Sequence, residues 1–275
     1  STMVTRGIIS TIAALAALLA GMPASADATL IVQGSDGIKS SIQVRQGRGR
    51  ISSPGIPGYL VFDAGSRSII YVEPDQRRYT QATAEELQSG IQAAENIRES
   101  VAPYLAGLLD GLSAEQRSMI EQRMGAVPGA PAAGHNAAAA ALKTIDRGTH
   151  TIAGLRCQAS GILKSGRPAA EVCMATGPSG KLSGQDYATL AEMVAVSRSL
   201  AVGARGMLGD LADQLEFLAL DIEGVPVAVR DLEHGKRYQV TTVSNAILSD
   251  ALFNSYAKFQ RQDLPGLFAR SLPQP

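Results

Sequence analysis

Three groupings of reactive side chains in the 275-residue sequence could carry chemistry, and each makes a definite demand on the fold. In "IIYVEPDQRRYTQATAEEL" (residues 69–87), Glu73 and Asp75 stand two apart between aromatics, with Arg77 beside them. Paired carboxylates of this kind can work as general acid and base, provided both face one cleft. The local sequence argues for a turn instead. Pro74 presets φ for the first central position of a turn and Asp75 suits the next, so the chain reverses and neighbours point apart. Ser255-Tyr256-Ala257-Lys258 matches S-x-x-K, the nucleophile and base spacing of penicillin-recognising enzymes, but neither S-D-N nor K-T-G follows it. The loop "GPSGKLSG" fails the phosphate-loop pattern, because residue 175 is Ala and Leu182 follows Lys181. His135, His150 and His234 are scattered, and no metal-ligand spacing recurs. The sequence therefore assigns no catalytic residue, no metal ligand and no cofactor, and it reads as a non-enzyme.

The third grouping is the cysteine pair, Cys157 and Cys173, the only cysteines in the chain. They lie in two strand-like runs, His150–Leu163 and Ala169–Thr176, on either side of the turn signal "KSGRP". A hairpin there sets the two strands side by side. The start of the chain supplies the compartment. Arg6 precedes an apolar run from Gly7 to Gly21, Pro23 breaks it, and Ala24-Ser25-Ala26 offers small residues for cleavage. This is the layout of a signal peptide cut after Ala26, and the run falls short of the roughly 20 apolar residues that span a bilayer. An exported, periplasmic chain with an even cysteine pair on a hairpin predicts a Cys157–Cys173 disulfide; a redox pair would need C-x-x-C spacing.

The elements that must position these residues follow from composition and periodicity. Twenty-five basic residues balance 25 acidic ones, which excludes a nucleic-acid partner, since a phosphate-binding surface needs a basic excess. There is no Trp, and aromatics make up 4%, so the core must be aliphatic. Strands are expected at Asp27–Gly34 and Ile38–Val44 around Asp36-Gly37, then as a meander over Tyr59–Asp63, Ser68–Glu73 and Arg77–Gln81. The stretch "GRGRISSPGIPG" between them reads as an irregular edge, because prolines stay out of central strands. Thr83 and Glu86 form a T-x-x-E capping box, so a helix starts at Ala84 and runs to about Leu109, with Pro103 kinking it. A flexible Ala/Gly/Pro-rich insert follows at residues 125–141. Beyond the cysteine hairpin come a long helical pattern over Gln185–Leu220, broken near Gly203 and Gly206, two strands with Val225, Val227 and Val229 on one side, and an apolar tail.

The segments "YLVFDAGSRSIIYVEPDQRRYTQATAEEL", "AGLRCQASGILKSGRPAAEVCMAT", "IEGVPVAVRDLEHGKRYQVTTV" and "SDALF" resemble an uncharacterised exported bacterial family related to the periplasmic lipoprotein carriers and receptors, the LolA/LolB-like superfamily. That resemblance implies a single α+β domain over 27–275: a curved antiparallel sheet, a half-open barrel, covered by helices. It also implies a carrier that binds a lipid, a lipoprotein or an apolar peptide in the concavity, where each buried CH₂ contributes about 0.8 kcal/mol. The candidate lining is Leu30, Val32, Ile42, Val44, Leu60, Phe62, Ile70 and Val72. The alternative is an envelope module that docks a protein partner and has no pocket.

Overall fold

Alternating branched and polar residues favour extended backbone, and short Gly-containing turns favour antiparallel return. The computed structural model describes residues 27–90, 142–204 and 222–263, together with 92, 93, 96, 100 and 113. The chain runs β1 (Asp27–Gly34), β2 (Lys39–Arg45), β3 (Arg48–Ser52), β4 (Tyr59–Asp63), β5 (Ser68–Glu73) and β6 (Arg78–Thr83). Then come β7 (Leu142–Ile152), β8 (Leu155–Lys164), β9 (Arg167–Ala175), the helix α1 (Gly184–Ala204), β10 (Val225–Asp231) and β11 (Arg237–Ala246). A short helix α2 (Ala251–Asn254), a 3-10 turn (Ser255–Lys258) and β12 (Gln260–Gln262) close the described chain. The hairpins β2–β3, β7–β8 and β8–β9 each turn on two residues with positive φ: Gln46-Gly47, Ala153-Gly154 and Ser165-Gly166. This is the geometry whose twist matches the flanking strands.

All twelve strands form one sheet, in the order β12-β6-β5-β4-β3-β2-β1-β11-β10-β9-β8-β7. It consists of two antiparallel meanders, β1–β6 and β7–β11, joined along β1–β11 with Asp27 opposite Ala246 and Gly34 opposite Tyr238. β12 adds to β6 in parallel, with Gln260 beside Arg78. The expected half-open antiparallel barrel under a helical cover does not form. The sheet is mixed and open, and its end strands β12 and β7 do not meet. The physical reason lies at the centre. β1 spends its second edge on β11, so the meanders add end to end and neither curls around to close on itself.

The segment expected to be an irregular edge is also different. Arg48–Ser52 is β3, inside the first meander, and Pro54 and Pro57 fall in the loop after it. The T-x-x-E box forms as read: Glu86 N–H donates to Thr83 Oγ1 at 3.1 Å, Thr83 N–H donates to Glu86 Oε2 at 2.8 Å, and helical backbone begins at residue 84. The signal-like segment 1–26, most of the expected helix to Leu109, the insert 125–141 with His135, and Leu208–Leu220 lie outside the described residues.

Helix α1 crosses one face of the sheet over β2, β3 and β10. Ser183 caps it, accepting from Asp186 N–H at 3.1 Å and donating to Asp186 Oδ2 at 2.7 Å. Leu190, Met193 and Val196 of α1 are buried against Ala28, Leu30, Val44, Phe62 and Val240. Met193 fits because Gly49 beneath it has no Cβ; any side chain there meets the methionine sulfur. On the opposite face Val61, Ile70 and Val72 are buried under Tyr59, Tyr79, Tyr256 and Phe259, so the segment after β11 covers this second, smaller cluster. Among the described residues no helix is long and apolar enough to cross a membrane.

Candidate functional site

Register decides which of the expected lining residues can share a surface, because directly opposed residues of an antiparallel pair lie on one face. Leu30 opposes Ile42, Ile42 opposes Ile51, and Ile51 opposes Leu60; Val44 opposes Gly49, which opposes Phe62. These residues all take the α1 face. Phe62 then opposes Ile69, and Val61 opposes Ile70, which puts Ile70 and Val72 on the other face. The eight residues therefore divide. Leu30, Val44 and Phe62 are core beneath α1, Leu60 is 40% exposed, and Ile70 and Val72 are core under the C-terminal segment. Val32 and Ile42 alone among them reach a cavity between α1 and the sheet.

That cavity has a volume of about 180 Å³. Its walls are Val32 (β1), Ile42 (β2), Val172 and Met174 (β9), Val194 and Arg198 (α1), Ile222, residues 226–229 of β10, and Tyr238 (β11). Among the described lining residues Arg198 is the one charged side chain, and its Nη2 donates to the Ile222 carbonyl at 2.7 Å. The wall from β9 and β10 depends on a β-bulge. Val225 opposes Ala175 and Pro226 opposes Met174, but Ala228 opposes Cys173 and Val229 opposes Val172. Val172 and Ala175 are three apart in a regular stretch of strand, hence on opposite faces, and their partners Val229 and Val225 are too. Strict alternation put Val225, Val227 and Val229 on one side; the bulge separates them. Pro226 inside the strand was the available signal, because proline within a sheet is confined to edges and bulges.

The reactive groupings resolve separately. Glu73 is held bidentately by Arg78, whose Nε and Nη2 donate to its two carboxylate oxygens at 2.9 Å each, and that bond raises the Arg78 pKa. Asp75 sits in the exposed 3-10 turn Pro74–Gln76, so the two carboxylates do not converge. Cys157 and Cys173 form a disulfide with Cα atoms 5.4 Å apart, inside the main core. His150 is exposed on β7. His234 belongs to the β10–β11 turn, where its Nδ1 lies 2.7 Å from Asp231 Oδ2. Burial pulls the Asp231 carboxyl upward, but the backbone N–H groups of His234 and Glu233 and the His234 ring outweigh it and hold the group below the usual carboxylate range. Ser255 Oγ lies 3.3 Å from the Tyr59 hydroxyl, and Lys258 is exposed. Among the described residues no group of three or more His, Cys, Asp or Glu is placed to hold a metal ion.

No family model matches the chain, and no curated protein matches it. Among solved structures it is similar to an uncharacterized conserved protein from Thermus thermophilus, at 9% identity and a TM-score of 0.36. That match covers 92% of this chain and 99% of the other. A likeness so distant carries no argument about role.

Proposed function

We propose that the protein is an exported, non-enzymatic binder of a short apolar group, taken up in the cavity between α1 and the sheet. The observation that carries this reading is the lining: mostly apolar walls from five strands and a helix, with a single cation among the described residues. Size limits the guest. A dry cavity of about 150 Å³ accepts benzene, whereas drug-sized ligands need roughly 300 Å³ or more. At about 180 Å³ the space suits the end of one acyl chain or one apolar side chain of a peptide, not a whole triacylated protein. Four methylenes buried there would contribute about 3 kcal/mol. The disulfide and the signal-like N-terminus support a periplasmic setting.

The test is a methyl-NMR titration with n-hexanol. Saturable shifts at Val172 and Val229 are expected, and Val194→Phe should fill the space and abolish them without lowering Tm. Absence of saturable shifts in the wild type up to the solubility of hexanol would remove the reading. A second reading, an envelope docking module, rests on β7. It ends the sheet, runs 11 residues, and is exposed along nearly its whole length. Such an edge is a template for an added strand. Protection of β7 amides from exchange on adding envelope extract, with no hexanol response, would favour that reading over the first.

A further inference from the structure

A second cleft lies over the half of the sheet formed by β7–β11. We propose that it binds a small phosphate monoester, with the phosphoryl group held between Arg230 and Arg237. One row of directly opposed residues crosses four strands here: Arg237 opposes Arg230, Arg230 opposes Glu171, and Glu171 opposes Gly161. Opposed residues share a face, and successive residues along a strand alternate. Val229 and Val172, the sequence neighbours of Arg230 and Glu171, turn to the first cavity, so the arginine row takes the reverse face. Gln239, Ala228, Cys173 and Ala159 make the next row on that face. The space above is open to solvent and about 470 Å³ in volume, within the range of small-molecule sites.

Three guanidinium groups line this space. The third belongs to Arg147, the extra residue of a bulge in β7 between Asp146 and Gly148. Arg147 lies over Gly161, where an added Cβ would stand 3.3 Å from its Nε. The adjacent Asp146 is turned to the other face, where it opposes Ser160 and accepts a hydrogen bond from Gln158 Nε2. Among the described lining residues Glu171 is then the one acid, and it lies 3.5 Å from Arg230 Nη1. Arg147 and Arg237 have no ion-pair partner among the described residues. All three arginines are exposed, Arg230 at 62%, so a ligand in the cleft can reach them. Like charges directly opposed across a strand pair repel, and Arg230 with Arg237 is such a pair. One carboxylate among three cations leaves two positive charges unmatched. A phosphate monoester carries about two negative charges at pH 7, and guanidinium edges fit its oxygens two at a time. Neighbouring strands stand about 4.8 Å apart, so one phosphoryl group can bridge both arginines. The small side chains of Ala228 and Ala159 leave room for it above the sheet, and Ile152 offers an apolar wall to a short substituent.

The experiment uses the full chain and n-butyl phosphate as probe, with n-butyl sulfate as the singly charged control of the same shape. Binding is followed by calorimetry and by the arginine Nε–H resonances. Butyl phosphate should bind saturably and shift the resonances of Arg230 and Arg237, while butyl sulfate should bind at least about tenfold more weakly. Arg237→Gln, at an exposed position, should weaken butyl phosphate binding at least about tenfold. Glu171→Gln frees Arg230 from its competing carboxylate and should tighten binding several-fold, a gain that damage to the fold would not produce. Val194→Phe, in the first cavity, should leave butyl phosphate binding unchanged, so the two sites fail independently. Vesicles of phosphatidylcholine with phosphatidic acid present the same phosphoryl group on a membrane surface, and they should not be needed for a response. The proposal is overturned by no saturable response to butyl phosphate in the wild type, by unchanged binding in Arg237→Gln, by weaker binding in Glu171→Gln, by butyl sulfate binding as tightly, or by a response to the vesicles alone.

Discussion

Replacing Cys157 and Cys173 together with alanine should lower the stability of the fold by about 3 kcal/mol. The two residues are separated by 16 positions. Cross-linking a loop of that length removes about 10 cal/mol/K from the denatured chain, which is about 3 kcal/mol at 25 °C. Two structural terms act around this value. Both cysteines are buried, at 2% and 5% exposure, so losing the sulfurs also opens a void in the main core and adds to the loss. Against that, the two-residue turn at Ser165-Gly166 keeps the β8–β9 hairpin local, so the reduced chain retains some preference for closure. The net expectation is about 2–4 kcal/mol, or a fall in Tm of roughly 6–12 °C for a chain of this size. Urea unfolding of oxidised wild type and of the double variant measures it, and m should rise slightly in the variant because its denatured state is less compact. The double replacement is needed, since a single one leaves a free thiol in an apolar core. A difference under about 1 kcal/mol, or two free thiols in the oxidised wild type, would refute the reasoning.

Two further outcomes follow from backbone and charge. Gly224 leads into β10 at φ +117°, and a Cβ there would press on the Ala175 carbonyl oxygen, so Gly224→Ala should cost more than about 1 kcal/mol; a wild-type urea midpoint would contradict this. Asp231 is held below the usual carboxylate range by hydrogen bonds from His234 and Glu233, after burial has pulled it upward. A depressed carboxyl stabilises the fold above its unfolded pKa and loses that contribution as pH falls through it toward the folded value. The stability gap between wild type and Asp231→Asn should therefore shrink between about pH 5 and pH 2. A gap independent of pH would show that the turn does not depend on the charge.

What was legible in the sequence was local. The Asp36-Gly37 turn, the strand at Ser68–Glu73, the capping box at Thr83 and the cysteine hairpin each rest on residues within a few positions of one another. β3 was lost because Arg48, Gly49 and Arg50 carry no apolar alternation and two prolines follow; its pairing on both sides overrides that weak preference. Strand order was beyond reach for a different reason. Whether β1 closes on its own meander or pairs with β11 is decided by partners at opposite ends of the chain, and no local pattern records it. The candidate site shows the same division. Val32 and Ile42 were found from alternation on neighbouring strands, but Ile70 and Val72 were grouped with Leu60 and Phe62 without counting register across the short connection, which pairs Asp63 with Ser68 and sets the two pairs on opposite faces. The contribution of β9, β10 and α1 depends on a bulge and a helix crossing, both tertiary facts.

The seam between β1 and β11 has a consequence for how the chain is born. Asp27 pairs with Ala246, so a polypeptide emerging amino end first, from the ribosome or through a translocation channel, cannot complete its sheet until the second meander has arrived. Until then β1 presents a bare aliphatic border, with Leu30 and Val32 beside unpaired peptide groups, and borders of that kind recruit other chains. Long-range pairing of this sort is also slow to nucleate. Biogenesis is therefore a stage at which this protein is exposed to aggregation, and a holding chaperone that shields strand borders is the assistance its topology calls for.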